Sequence, residues 1–284
     1  MKLFNIQMKN MGFVLAVLVM GISLFNCTSI PEPGSLAPDV NYKNRKQYAI
    51  SGMEQTIGDF EVSTSTLPLT FQIVNISETS GQDVSSLTES IPVVRYTGPI
   101  DGYESAEELA LKADTVELPA VSVNQNTGKI EIQQGNNIPA GEYHFDIQVS
   151  NTSGSKILED AIIIEFTEYE LVAWSSGMAQ EPEIERVADS PNEVLFVGYL
   201  DGVALPGERI DFTKNRASGF AGTFVNDTEE GEIWRVDFPV EESETYCTWA
   251  IENTTDGPVS YDYESESFTF ILGRPGRYVI RLYK

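Results

Sequence analysis

Catalysis and metal binding make narrow demands on residue type, and this chain meets few of them. Its only histidine is His144, which rules out a multi-histidine metal site. A Ser-His-Asp arrangement would have that one base and no Gly-x-Ser-x-Gly elbow to present its nucleophile. His144 falls on the polar phase of an alternating stretch, where a solvent-side sheet residue is the simpler role. No phosphate-cradling glycine loop, zinc spacing or dinucleotide fingerprint occurs. The 43 acidic residues leave a glycosidase carboxylate pair open, but such a pair is defined by its separation across a cleft and not by a motif. Asn226-Asp227-Thr228-Glu229-Glu230-Gly231-Glu232 gathers oxygen ligands on a turn without EF-hand spacing, and it reads as a solvated hairpin tip. No catalytic residue, metal ligand or cofactor is assigned.

Aromatic rings are the other source of chemistry, because sugar rings are recognised by stacking. Trp234 is in phase with Val236, Phe238 and Val240, and Trp249 with Cys247 and Ile251; both patterns predict core packing. Trp174 instead ends a strand and precedes Ser175-Ser176-Gly177, so it is a candidate ligand platform. Tyr261 and Tyr263, set beside Asp262 and Glu264, are a second candidate, either a sugar-binding strip or an edge strand guarded by charge. Cys247 reads as a buried structural thiol.

The elements that must position these rings are strands. Leu67, Leu69, Phe71 and Ile73 alternate with polar partners, and Ile91 to Tyr96 forms another run. Val121-Ser122-Val123 and Lys129-Ile130-Glu131-Ile132 flank the turn cluster Asn124 to Gly128. Tyr143, Phe145, Ile147 and Val149 share one face, and Ala161 to Phe166 follows after a second turn. Ser105-Ala106-Glu107-Glu108 is a capping box opening a short helix to Lys112, expected to be a crossover insertion between sheets. Beyond a boundary near Glu168, strands are expected at Tyr169 to Trp174, Val194 to Tyr199, Arg209 to Phe212, Phe220 to Val225, Glu232 to Val240, Tyr246 to Glu252, Ser267 to Leu272 and Arg277 to Tyr283. Turns such as Asp201-Gly202 and Asp256-Gly257-Pro258 separate them. The fold class is all-β: two antiparallel β-sandwich domains over 41–168 and 169–284, the second immunoglobulin-like or jelly-roll. Asn126-Thr127-Gly128-Lys129-Ile130, Gly141-Glu142-Tyr143 and Ser150 to Gly154 together resemble the second half of cadherin-like and bacterial immunoglobulin-like domains. That resemblance implies a Greek-key sandwich with Tyr143 as its corner tyrosine; the cadherin calcium signatures are absent from the sequence. Gly276-Arg277-Tyr278-Val279-Ile280-Arg281-Leu282 repeats the grammar of Gly141 to Ile147.

Ahead of the strands, Lys2 and Lys9 precede an uncharged apolar run from Met11 to Phe25, a secretory signal too short to span a membrane. Leu24-Phe25-Asn26-Cys27 resembles the lipobox of bacterial lipoproteins, with Asn26 in place of the usual small residue, a variation seen in the Bacteroidetes. The resemblance implies a signal peptide over 1–26 and lipidation of Cys27, which would hold the mature chain in the bacterial outer membrane through its acyl chains. Whether it faces the surface or the periplasm is open. Residues 27–40, with Pro31, Pro33 and Pro38, are expected to be a semi-extended tether. Loss of 1–26 removes Lys2 and Lys9 and no acid, moving the net charge from −25 to −27. A charge of that sign repels nucleic acid and anionic lipid head groups and leaves neutral ligands, glycans among them, as partners.

Three functions fit this reading. In layout the chain resembles the accessory glycan-binding lipoproteins of Bacteroidetes polysaccharide-uptake systems, non-catalytic, with aromatic residues on an exposed face. It equally resembles fimbrial-type structural or adhesive envelope proteins, whose partner is another envelope protein. A secreted hydrolase with an unlocated carboxylate pair is the third. The first is placed slightly ahead.

Overall fold

A computed structural model describes residues 34–212, 220, 222–253 and 258–284. It is an all-β structure with two hydrophobic cores. The first is organised on Gly141–Asn151, whose Tyr143, Phe145, Ile147 and Val149 are completely buried on one face, as strict alternation demands. This strand pairs antiparallel with Thr70–Glu78 on one side and Gly154–Thr167 on the other. Lys46–Ile50 then adds to Gly154–Thr167 in parallel. Across the core lie Gln55–Ile57, Ile130–Ile132 and Val121–Val123 in a three-stranded sheet. Tyr42, Phe60 and Phe71 close one end of the core edge-to-face, with ring centres 5.2 and 4.7 Å apart.

Gly34 to Val40 belongs to this core, which corrects the expectation of a tether reaching residue 40. Ala37 and Val40 are buried in its cluster, and Leu36 packs against that cluster. Ala37 donates its N–H to Ser65 Oγ at 2.9 Å. Three prolines suggest an extended segment but cannot tell a free one from one laid against a sheet. The signal segment and Cys27 lie outside the described residues.

The capping box forms as read: Ser105 Oγ accepts from the Glu108 N–H, and Glu108 Oε2 accepts from the Ser105 N–H. Its helix, Ala106–Lys112, is however no crossover between sheets. The strands on either side of it, Ser90–Tyr96 and Ala113–Pro119, pair with each other as a two-stranded ribbon. The helix caps the tip of that ribbon and buries none of its residues.

The second core lies between two sheets. One runs in the order Tyr169–Trp174, Ser260–Leu272, Val240–Asn253, Ile210–Asp211; the other Glu183–Ala188, Arg277–Tyr283, Glu193–Leu200, Glu232–Val236, Gly222–Asp227. Arg277–Tyr283 and Glu193–Leu200 are parallel, the other neighbours antiparallel. Phe196 stacks on Phe212 at 4.6 Å, with Phe220, Phe268 and Phe270 around it. Trp234, Cys247 and Trp249 are buried among these residues, as their phase predicts. The strand expected over Glu232 to Val240 stops at Val236 because Asp237-Phe238-Pro239 interrupts it, and Pro239 has no N–H for a ladder. Val240 opens the next strand, of 14 residues. The expected Arg209 to Phe212 strand is only Ile210–Asp211, after a 3-10 turn.

The echo between the two glycine-tyrosine strands has a structural counterpart. Tyr143 donates its hydroxyl to Pro139 O at 3.1 Å, and Tyr278 donates to Arg274 O at 2.7 Å, each four residues upstream. Both are tyrosine corners. The cores meet where Ser51-Gly52 abuts Gly273-Arg274. An added Cβ on Gly52 would stand 2.0 Å from Gly273 O, and one on Gly273 would stand 1.9 Å from Ser51 O. Arg274 binds Asn137 at 2.5 Å and pairs with Glu168, which also lies 3.8 Å from Arg186. No helix among the described residues is long and apolar enough to cross a membrane.

Candidate functional site

The three candidate rings do not come together. Trp174 ends the free edge strand Tyr169–Trp174, is 44% exposed, and sits in register with Phe268 on the core side of the sheet. Tyr263 and Tyr261 lie on the strand that contains Phe268, opposite Ala250 and Glu252. Tyr263 is five residues, ~17 Å, away from Phe268 along that strand, and an odd offset turns both tyrosines to the other face of the sheet. Tyr261 already carries a cation. The Arg209 guanidinium is 4.7 Å from its ring centre and is fixed there by two hydrogen bonds to Ala250 O, at 2.9 and 2.6 Å. Tyr263 is 70% exposed.

A second set of rings does converge, and the sequence reading did not single it out. Tyr48, in the Lys46–Ile50 strand, and Tyr169, the first residue of Tyr169–Trp174, line one cavity of about 290 Å³ together with Gln55 and Glu170. Tyr48 belongs to a strand of the first core and Tyr169 to a strand of the second. Tyr169 also lines a neighbouring cavity of about 460 Å³ with Leu171, Gln180, Glu181, Glu183 and Ile184. This cavity lies between Tyr169–Trp174 and Glu183–Ala188, the end strands of the two facing sheets, and shares Tyr169 with the first; the two together are the trench. Alternation predisposes the trench. Tyr169 and Leu171 both point to the core side of an edge strand that no further strand among the described residues covers, leaving Tyr169 partly exposed and Leu171 half-buried.

The electrostatics of the trench are one-sided. Glu170 and Glu181 have no ion-pair partner among the described residues. Lys46 Nζ stands 5.6 Å from the Tyr48 ring centre but is committed to Glu165 at 2.8 Å and Glu142 at 3.0 Å. Hydrogen bonds to Glu165, then Glu142, hold its ammonium above the ordinary lysine range. Arg281 is likewise bound to Glu185 at 2.9 Å.

Elsewhere the polar groups are structural. His144 lies 3.2 Å from Asp160 and 3.3 Å from Glu142, with Thr79 Oγ1 at 3.2 Å, in an ion-pair network on the outer face of its sheet. Burial, first, and then the charges of Glu232 and Asp211 push the Cys247 thiol up, which suits an inert core residue. The oxygen-rich turn closes on Thr228, whose Oγ1 donates to Gly231 O at 2.9 Å and accepts the Gly231 N–H at 3.1 Å. Glu232, read as part of that tip, is instead fully buried and accepts from Trp234 Nε1 at 3.1 Å and from the Phe212 N–H at 3.2 Å. Among the described residues no group of three or more His, Cys, Asp or Glu is placed to hold a metal ion.

A family model described as a domain of unknown function, DUF5007, matches residues 60–185. The matched span carries strands of both cores and the Tyr169–Ile184 side of the trench. No curated protein matches the chain. Among solved structures, one similar chain is a SusE-like, surface-located polysaccharide-binding protein from the heparin utilisation locus of Bacteroides thetaiotaomicron. It is 12% identical with a TM-score of 0.32, the match covering 83% of this chain and 26% of that one. The present chain therefore spans about a quarter of that protein's length. Another is a chimeric titin Z1Z2 carrying an exogenous decorin peptide, 9% identical, TM-score 0.21, covering 86% of this chain and 97% of that one.

Proposed function

We propose that this chain is a lipid-anchored protein of the bacterial outer membrane that binds glycan without transforming it. The observation that carries the reading is the trench: two solvent-accessible tyrosines, one from each core, line a single cavity rimmed by amide and carboxylate side chains. Stacking faces beside groups that can accept from hydroxyls, and in the amides also donate to them, are what a sugar needs. The anchor rests on the Met1–Cys27 sequence, with Cys27 as the lipidated residue. In this reading the sandwich domains are 41–168 and 169–284, and Trp174, Tyr261 and Tyr263 are subsidiary platforms outside the trench.

The test is a glycan array probed with the soluble chain from Thr28 onward. Saturable binding of at least one polysaccharide, with no change in its chain length after incubation, is the expected result. A blank array would remove the reading. Mass spectrometry of the native protein should find acylated Cys27 at the N-terminus; a mature chain starting elsewhere would remove the anchor. The adhesive alternative draws on the uncovered outer edges of Tyr169–Trp174 and Glu183–Ala188, which could pair with a further strand. Strong self-association together with a blank array would favour it.

A further inference from the structure

We infer that the trench selects uncharged glycan chains over polyanionic ones, with Tyr48 and Tyr169 as its stacking faces and Glu170 and Glu181 as a charge filter; this rests on the glycan-binding reading above. Both cavities are of the size that holds small ligands, about 290 and about 460 Å³. They adjoin at Tyr169, so a linear oligomer could lie across Tyr48 and Tyr169 and run on between the two end strands. Gln180 can donate to and accept from sugar hydroxyls, and Gln55, whose Oε1 already accepts the Ile50 N–H at 2.9 Å, can donate from Nε2. The carboxylates can only accept, which suits a hydroxyl and opposes a sulfate or uronate.

What makes the trench selective is the missing counter-charge. Anion-binding grooves present arginine or lysine, free to fork onto the ligand. Among the described residues no Lys or Arg lines either cavity. The nearby cations, Lys46 and Arg281, are already held by Glu142, Glu165 and Glu185. The net charge of −27 without residues 1–26, which is −25 less Lys2 and Lys9, extends the repulsion beyond contact range.

The experiment is isothermal titration of the soluble chain with neutral gluco-, manno- and galacto-configured hexasaccharides, with a sulfated heparin-type hexasaccharide, and with an oligolysine peptide. A neutral ligand should bind, and Tyr169→Ala and Tyr48→Ala should each weaken it about tenfold or more, as loss of a stacking anchor does. Tyr169→Phe keeps the stacking face and should bind more tightly than Tyr169→Ala. Glu170→Gln/Glu181→Gln should raise affinity for the sulfated ligand about tenfold relative to the neutral one, by removing two like charges. Both tyrosines are partly or largely exposed, and circular dichroism of each variant checks the fold. Neutral binding that survives both alanine variants overturns the trench assignment and leaves the glycan reading standing. Tighter binding of the sulfated ligand by the parent chain overturns the filter. Oligolysine bound more tightly than any sugar, and lost in Tyr169→Ala, overturns the ligand class. Failure of the parent chain to bind any glycan overturns this inference together with the reading beneath it.

Discussion

The hydroxyls of Tyr143 and Tyr278 show how much a single atom contributes to this fold. Each phenol reaches back four residues to a carbonyl at the corner where a core strand begins, and Tyr278 also lies 3.3 Å from Glu168 O. Tyr278→Phe and Tyr143→Phe keep the buried ring and delete only the bond, so each should cost about 1 kcal/mol in urea unfolding with an unchanged slope. Tyr263→Phe, at an exposed ring, should cost close to nothing. Alkali makes the same point by another route. Burial, then the Glu168 carboxylate, raises the Tyr278 phenol above its ordinary value of 10.0. Burial, then a hydrogen bond with Glu183, raises Tyr283 to about 12. In both the folded state holds the proton more tightly than the unfolded chain. The associated stability is therefore complete below pH 10 and drains away as pH rises above it. Urea midpoints should be flat from pH 8 to 9.5 and fall from pH 10 to 11, less steeply in Tyr278→Phe.

At the scale of elements, the hairpin Val240–Asn253/Ser260–Leu272 shows what could be read in advance and what could not. Its inner half was legible: Cys247, Trp249, Phe268, Phe270 and Leu272 alternate with smaller or polar residues and are all buried. Its outer half was legible only as one of two alternatives, a sugar-binding strip or an edge strand guarded by charge, because Tyr261-Asp262-Tyr263-Glu264 carries no apolar period to read. Cross-strand pairing, from Tyr261 with Glu252 to Ser265 with Thr248, extends the strand there. The Glu183–Ala188 strand was missed for a related reason: it is an edge strand in which only Ile184 is buried, and charge is how edges are protected. Tyr48 and Tyr169 escaped notice because an alternating pattern reports burial and cannot report that two distant strands bring their rings to one cavity. The same hairpin holds the C-terminus. Lys284 pairs with Glu266 and, at 2.9 Å, with Glu264, while Ser175 donates to Glu266 at 2.6 Å. Lys284, then Ser175, lowers the Glu266 carboxyl below its ordinary 4.5. A depressed carboxyl stabilises above that value and loses its contribution as pH falls through the folded one. Glu266→Gln should therefore cost about 1 kcal/mol at pH 7, since the site is partly screened, and flatten the decline of stability below pH 4.5. Amide exchange should quicken at Ala179 and Lys284, whose N–H groups bond Tyr283 O and Tyr199 O at 2.9 Å.

Taken whole, the molecule asks its two cores to present one trench, so the contact between them should govern binding as well as shape. Gly52 and Gly273 let backbone meet backbone, and Arg274 ties Asn137 from the first core's side to Glu168 where the chain passes into the second. The Arg274 and Glu168 side chains are only 14% and 18% exposed, so removing the cation leaves a carboxylate short of solvent and held, among the described residues, by Arg186 at 3.8 Å. Arg274→Ala should cost roughly 2 kcal/mol, below the range for a fully buried pair. Gly273→Ala acts differently: its Cβ would stand 1.9 Å from Ser51 O, where backbone and not a flexible side chain must yield. Each core keeps its own apolar cluster, so Gly273→Ala should leave both folded while parting them. Calorimetry should then resolve two transitions in place of a merged one, and small-angle scattering should report a larger radius of gyration. Affinity for the neutral glycan should fall although neither glycine lines the two cavities of the trench, because Tyr48 and Tyr169 would no longer share one. A Gly273→Ala chain with unchanged scattering and full affinity would mean that the trench is held by each core separately and that the junction plays no part in recognition.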